Sequence, residues 1–152
     1  MLGIEEAYRK WADELVRYAT ALVGPVDAPD LVAEAFSRVM VRNDGAWAMV
    51  VEPRGYLYRS VTNAARMSAR SGARRRAREL RWPGDSLDGE LIVEPEVRRS
   101  LDRLSVQQRA VTYLTYWHDL SPSSVASLLS ISEGTVKRQL ARARSTLREV
   151  LA

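Results

Sequence analysis

Apolar residues recur at three- and four-residue steps along most of this chain. Ile4, Ala7, Tyr8, Trp11, Leu15, Tyr18, Ala19 and Leu22 form the first series, which predicts an amphipathic helix ended by Gly24-Pro25. Asp27 or Asp30 can cap a second helix, in which Leu31, Ala35, Val39 and Met40 share a face with Val32 and Phe36 beside it. Asn43-Asp44-Gly45 stops that helix. Pro53 fits the first turn of a third, where Leu57, Val61, Ala64 and Ala65 face a core and Arg54, Arg59, Arg66 and Arg70 face elsewhere.

The pattern then fades. Arg74 to Arg81 has almost no apolar face and reads as a basic helical arm closed by Pro83-Gly84. Residues 82–95 hold Pro, Gly and acids with no period, the mark of a flexible linker that could reach about 46 to 50 Å when extended. A short helix is expected over Pro95 to Leu104. Ser105 to Gln108 has the Ser-x-x-Gln form of a capping box and opens a helix to about His118. Ser121-Pro122 starts another that lasts to about Leu129. Ser130-Ile131-Ser132 makes a tight turn, and Ser132 caps a last helix carried by Val136, Leu140, Ala143, Leu147 and Val150. No useful β-alternation occurs. The expected fold is all-α: two small helical domains, 1–81 and 96–152, joined by a flexible acidic linker at 82–95, the C-terminal domain a helix-turn-helix.

Composition narrows the chemistry. The 152 residues contain no cysteine and one histidine, which excludes Cys/His zinc sites, thiol nucleophiles, disulfides and any histidine dyad. Without a nucleophile-base pair the chain is not expected to be an enzyme. Asp27, Asp30 and Glu34 have no neighbouring ligand cluster, so neither a metal nor a cofactor is expected. The N-terminus is acidic where a signal peptide is basic, and the longest apolar run, Ala46 to Val51, is far short of a membrane span. A soluble cytoplasmic protein with no membrane partner is the expectation.

Charge is blocked along the chain. Residues 1–52 carry 5 basic and 9 acidic groups, 53–82 carry 9 and 1, 83–102 carry 2 and 6, and 103–152 carry 7 and 3. Of the 23 basic residues 21 are arginine, whose planar fork suits phosphates and guanine edges. Leu120 to Arg148 has the spacing of a helix-turn-helix: small Ala126 allows close crossing, and Ile131 and Val136 fill the angle. Its second helix offers Ser132, Glu133, Thr135, Lys137, Arg138 and Arg142 to a major groove. In the basic segment 54–81, Arg59, Arg66 and Arg70 can neutralise phosphates, and Asn63 can read a base edge. Tyr56, Tyr58 and Trp82 offer aromatic faces to an unstacked base, although either tyrosine could equally pack in the core. The segment Asp27 to Phe36 presents an acidic helical face suited to a basic protein partner. His118 reads as a helix-end residue near the negative end of the dipole.

Four blocks carry a resemblance: Asp27-Ala-Pro-Asp-Leu-Val-Ala-Glu-Ala-Phe36, Tyr56-Leu-Tyr-Arg-Ser-Val-Thr-Asn63, Leu104-Ser-Val-Gln-Gln-Arg-Ala-Val111, and Ile131-Ser-Glu-Gly-Thr-Val-Lys137 with Leu140-Ala-Arg-Ala-Arg144. In that order, over nearly the whole chain, they resemble the extracytoplasmic-function (ECF) sigma factors of the sigma-70 family. The resemblance implies a non-enzymatic, cytoplasmic and nucleoid-associated initiation subunit that directs bacterial RNA polymerase to promoters and helps open them. It places core-polymerase contacts at Asp27, Asp30, Leu31, Glu34 and Phe36, which meet the clamp helices. It gives minus-ten recognition and melting to Tyr56, Tyr58, Arg59, Asn63, Arg66 and Arg70. The last domain then reads the minus-thirty-five duplex and docks on the polymerase flap, and the acidic linker enters the RNA path. An anti-sigma factor is among the partners such factors often have.

The chain departs from the family pattern at Pro29, Ala33, Tyr56, Thr62, Ser124, Ser130 and Arg138-Gln139, which bears on promoter sequence more than on role. The alternative, a conventional dimeric helix-turn-helix regulator, accounts for the last third of the chain only. It leaves the basic, aromatic segment 54–81 without a purpose.

Overall fold

The computed structural model describes residues 3–41, 47–70 and 100–151, and their regular elements are all helical. They are α1 (Ile4–Val23), α2 (Ala28–Val41), a 3-10 turn at Trp47–Met49, α3 (Pro53–Arg70), α4 (Val106–Tyr116), α5 (Pro122–Leu129) and α6 (Glu133–Leu151). The expected stop at Asn43-Asp44-Gly45, the basic arm 74–81, Trp82 and the linker 82–95 lie outside the described residues. So do residues 95–99 of the short helix expected before Leu104; residues 100 and 101 are helical, and 102–104 turn.

Local chemistry explains the ends. Gly24 closes α1 at φ 90°, a conformation costly for any residue with a Cβ, and its N–H donates to the Thr20 carbonyl. The start of α2 at Ala28 leaves Asp27 just before the helix, its carbonyl accepting from the Leu31 N–H at 3.0 Å, while Asp30 falls within the first turn. Ser105 and Gln108 form the full capping box, with bonds of 3.1 and 3.0 Å. Ser121 caps α5 by accepting from the Ser124 N–H at 3.1 Å, and Pro122 occupies the first turn. Helix α4 ends at Tyr116, two residues before the expected end at His118.

The core is continuous across both halves. Leu15, Tyr18 and Leu22 of α1, Leu31 and Phe36 of α2, Leu57, Tyr58 and Val61 of α3, Val111 and Leu114 of α4, Val125 and Leu129 of α5, and Val136 and Leu140 of α6 belong to one buried cluster. Helices α1 and α3 pack on α4, and α3 packs on α5. The two halves therefore share apolar interior in this arrangement. Tyr8 and Met40, both on expected apolar faces, are 46% and 52% exposed. Tyr8 meets Phe36 edge to face at 4.8 Å and covers it from outside.

A buried hydroxyl pair ties α1 to α3. Thr62 Oγ1 donates to the Tyr58 carbonyl at 2.7 Å, and the Tyr18 hydroxyl lies 2.6 Å from the same oxygen. Burial pushes the Tyr18 phenol well above its ordinary range. Replacing Tyr18 by Phe removes one buried hydrogen bond and should cost about 1 kcal/mol, read as a lower urea midpoint at unchanged slope. The turn between α5 and α6 carries strain of the opposite sign for engineering. Ser130 stands there at φ 56°, with the following Ile131 N–H donating to the Ala126 carbonyl at 3.0 Å. Ser130→Gly should raise stability by about 1 kcal/mol in the same assay.

Candidate nucleic-acid interface

Helices α5 and α6 build the first surface. Val136 and Ala126 are buried at their crossing, Ile131 packs against the same core, and α6 starts free of cover. Ser132 caps it: the Thr135 N–H donates to Ser132 Oγ at 3.0 Å, and the two hydroxyls lie 2.8 Å apart. Arg138 Nη2 donates to Thr135 Oγ1 at 3.1 Å, which steers its guanidinium toward the helix N-terminus. Lys137 and Glu133 pair at 3.3 Å, an exposed bridge of little energetic weight. Ser132, Glu133, Lys137, Arg138 and Arg142 are exposed and Thr135 is half-buried, so all six expected residues lie on the open side of α6 or at its start. Of the departures nearby, Ser124 has its hydroxyl 3.1 Å from that of Ser121 and so extends the α5 cap.

Helix α3 carries the second surface, and it separates the two tyrosines. Tyr56, Arg59, Asn63, Arg66 and Arg70 are spaced 3, 4, 3 and 4 residues apart, a single stripe. Asn63 and Arg66 are exposed on it. Tyr56 is half-buried with its ring edge-on to Trp47 at 6.2 Å. Tyr58 is one step off this stripe and on the apolar one with Val61 and Ala65, and it is fully buried. Its ring therefore does not stack on a base in this arrangement. Its hydroxyl instead donates to Glu14 Oε2 at 2.7 Å, the oxygen that also accepts from Arg54 Nε and Nη2 at 3.0 and 2.8 Å. Burial and the bond to the Glu14 carboxylate both push the Tyr58 phenol far up. Arg59 Nη1 donates across to the Leu128 carbonyl at 3.1 Å.

The acidic helix α2 divides in the same way. Leu31 points into the core and Phe36 is buried beneath Tyr8, whereas Asp30 is exposed and Asp27 and Glu34 are half-exposed. Glu34 pairs with Arg38 at 2.8 Å. Beside this face the sequence concealed an open groove of about 530 Å³, lined by Ile4, Tyr8, Ala33, Phe36, Met40 and Val41. Ala33, one of the departures, leaves room on its wall. Pro29 sits in the first turn of α2, where a missing N–H costs nothing. Among the described residues no cluster of three or more His, Asp or Glu could hold a metal, and no helix is long and apolar enough to cross a membrane.

Comparison with known proteins agrees with the geometry. The family described as Sigma-70, region 4 matches residues 95–147, which hold α4, α5 and most of α6. The RNA polymerase sigma-E factor of Streptomyces avermitilis is 34% identical, over 99% of this chain and 86% of its own length. The ECF RNA polymerase sigma factor SigE of Mycolicibacterium smegmatis is 30% identical, over 97% of this chain and 61% of its own. The fold resembles that of the sigma factor RpoE of Bartonella quintana, solved in complex with the anti-sigma factor NepR. There the TM-score is 0.62 at 22% identity, over 97% of this chain and 95% of that one.

His118 was expected to be a helix-end residue and sits just beyond α4, against the other half. Its ring meets Tyr113 at 5.4 Å and Tyr58 at 6.3 Å, both edge to face. Burial lowers its pKa, the Arg54 and Arg17 charges lower it further, and Glu14 opposes them. The folded chain thus resists taking a proton that the unfolded chain accepts near its ordinary pKa of about 6.5. Stability should fall as the pH drops from about 7.5 to about 5.5, a window in which carboxylates stay largely ionised. His118→Asn should flatten that dependence, measured as the melting temperature against pH.

Proposed function

We infer how this chain works from a premise that its relatives establish: it belongs to the ECF group of the sigma-70 family of RNA polymerase sigma factors. It is a transcription initiation factor, and its work is to bring RNA polymerase to promoters. We assign the open face of α6 to the minus-thirty-five duplex. Ser132, Glu133, Thr135, Lys137, Arg138 and Arg142 enter the major groove there, with Arg138 held ready by Thr135. The stripe of Tyr56, Arg59, Asn63, Arg66 and Arg70 on α3 serves the minus-ten element, phosphates to the arginines and an unstacked base to Tyr56 or Asn63. Tyr58 supports that stripe from beneath through Glu14 and Arg54.

Core polymerase docks on α2. Asp27, Asp30 and Glu34 supply the charge for a basic partner, and the neighbouring groove with Tyr8 and Met40 supplies apolar area. Residues 1–81 and 96–152 act as the two working units and 82–95 as the acidic connector between them. The role requires no catalytic group, metal or cofactor, and it places the chain in the cytoplasm with the nucleoid. An anti-sigma factor is a further expected partner, as the structural neighbour has one. The observation that carries this reading is that one chain presents two basic polar faces, on α3 and on α6, of different character. A dimeric duplex-only regulator has no use for the first.

Mixed with core polymerase, the protein should co-elute as holoenzyme and start transcription at discrete sites on a promoter library; separate elution would overturn the docking assignment. Arg138→Ala or Arg142→Ala should weaken promoter binding by about 1 to 3 kcal/mol if the side chain reads a base. An equal loss on unrelated sequences would mark a phosphate contact instead. Arg66→Ala should lower permanganate reactivity of melted thymines while leaving holoenzyme assembly intact.

A further inference from the structure

Residues 1–52 hold 5 basic groups among 9 acidic ones, and one of the five reaches away from its own block. Arg38 stands in the last turn of α2 with 48% of its side chain exposed. Its Nη2 donates to Glu34, one turn earlier, at 2.8 Å, an exposed pair of small weight. Its Nη1 crosses to α3 and donates to the Met67 sulfur at 3.4 Å, 29 residues away. A thioether is a weak acceptor without charge, so it holds the guanidinium in place and does not neutralise it. Among the described residues Glu34 is the one carboxylate paired with Arg38. Met67 follows Asn63 by one helical turn and precedes Arg70 by one, which puts it in register with the stripe on α3. It is 52% exposed there. The contact between Arg38 and Met67 therefore brings a cation of the acidic helix to the edge of the basic face.

We propose that Arg38 is a further phosphate-binding residue of the minus-ten face, supplied by α2 and positioned beside the α3 stripe by Met67. The proposal rests on the assignment of that stripe to the minus-ten strand. A guanidinium has five N–H donors, and Glu34 and Met67 take two of them, so a phosphate oxygen can be bound without breaking either contact. Tyr56 and Asn63 offer base-reading groups along the middle of the stripe. A strand whose bases turn toward them runs its phosphates along the margin, and Arg38 stands at the margin on the α2 side. Glu34 competes with the phosphate for the same charge. The minus-ten face is thus built by two helices, with Arg59 and Arg66 on α3 and Arg38 on α2.

The probe is a fluorescent single-stranded DNA dodecamer of mixed sequence, since a phosphate contact does not depend on the bases. It is titrated with the full chain alone and with the chain assembled on core polymerase, core polymerase alone serving as the blank. One lost contact to a single strand lowers the slope of log affinity against log salt by about 0.7. Arg38→Gln should show that change and bind about fivefold more weakly at low salt. Arg38→Lys, which keeps the charge, should retain most of the slope. Glu34→Gln removes the competing carboxylate and should bind about twofold more tightly. If Arg38 only braces α2, Arg38→Gln lowers the melting temperature and leaves the slope unchanged; that result overturns the proposal, and so does weaker binding by Glu34→Gln. Arg66→Gln separates the proposal from the assignment beneath it. A lower slope for Arg66→Gln with none for Arg38→Gln removes Arg38 alone from the face. An unchanged slope for both, or no binding by the unmodified chain in either form, overturns the minus-ten assignment and the proposal together.

Discussion

The last carbonyls of a helix have no partner within it, and this fold is arranged around two such ends, that of α1 buried and that of α5 half-buried. Arg109 and Arg59 answer them from the opposite half of the chain, 87 and 69 residues away from their acceptors. Around these bonds lie the contacts that make the seam apolar: the Tyr18 and Tyr113 rings at 5.7 Å, and Leu128 beside Gly55. The seam in turn sets what each helix can show. With α5 laid across α3, Tyr58 faces inward and Arg59 is occupied, while α6 turns its polar side outward.

The polar network under α3 is the counterpart of the seam within the N-terminal half. Glu14 gathers Arg54 and the Tyr58 hydroxyl on one carboxylate oxygen, and Arg54 also lies 5.5 Å above the Tyr58 ring. The carboxylate stays partly open to water, its charge matched by Arg54 and one of its oxygens accepting three bonds. It fixes the rotation of α3 against α1, and with it the direction in which Asn63 and Arg66 project.

Much of the architecture was legible because its signals are local. The capping box at Ser105 and Gln108, the serine-proline start at Ser121, Pro53 in a first turn and the helix-turn-helix spacing each depend on residues within one or two turns. The period also separates the tyrosines: Tyr56 falls on the arginine stripe and Tyr58 on that of Val61 and Ala65. The same test places Leu31 and Phe36 in the core and leaves Asp30 outside. Other features had no local trace. Glu14 meets Arg54 across 40 residues, Arg109 meets Leu22 across 87, and the groove beside α2 exists only once α1 is laid against it.

The pair formed by Tyr18 and Thr62 has a bearing on how such chains vary. An arginine at position 62 would put a long cation where a hydroxyl now sits 2.6 Å from a buried phenol. Position 62 can accept that arginine only if position 18 gives up its ring or the helices move apart. Forty-four residues apart in sequence, the two sites thus behave as one heritable character, and among related chains their identities should change together.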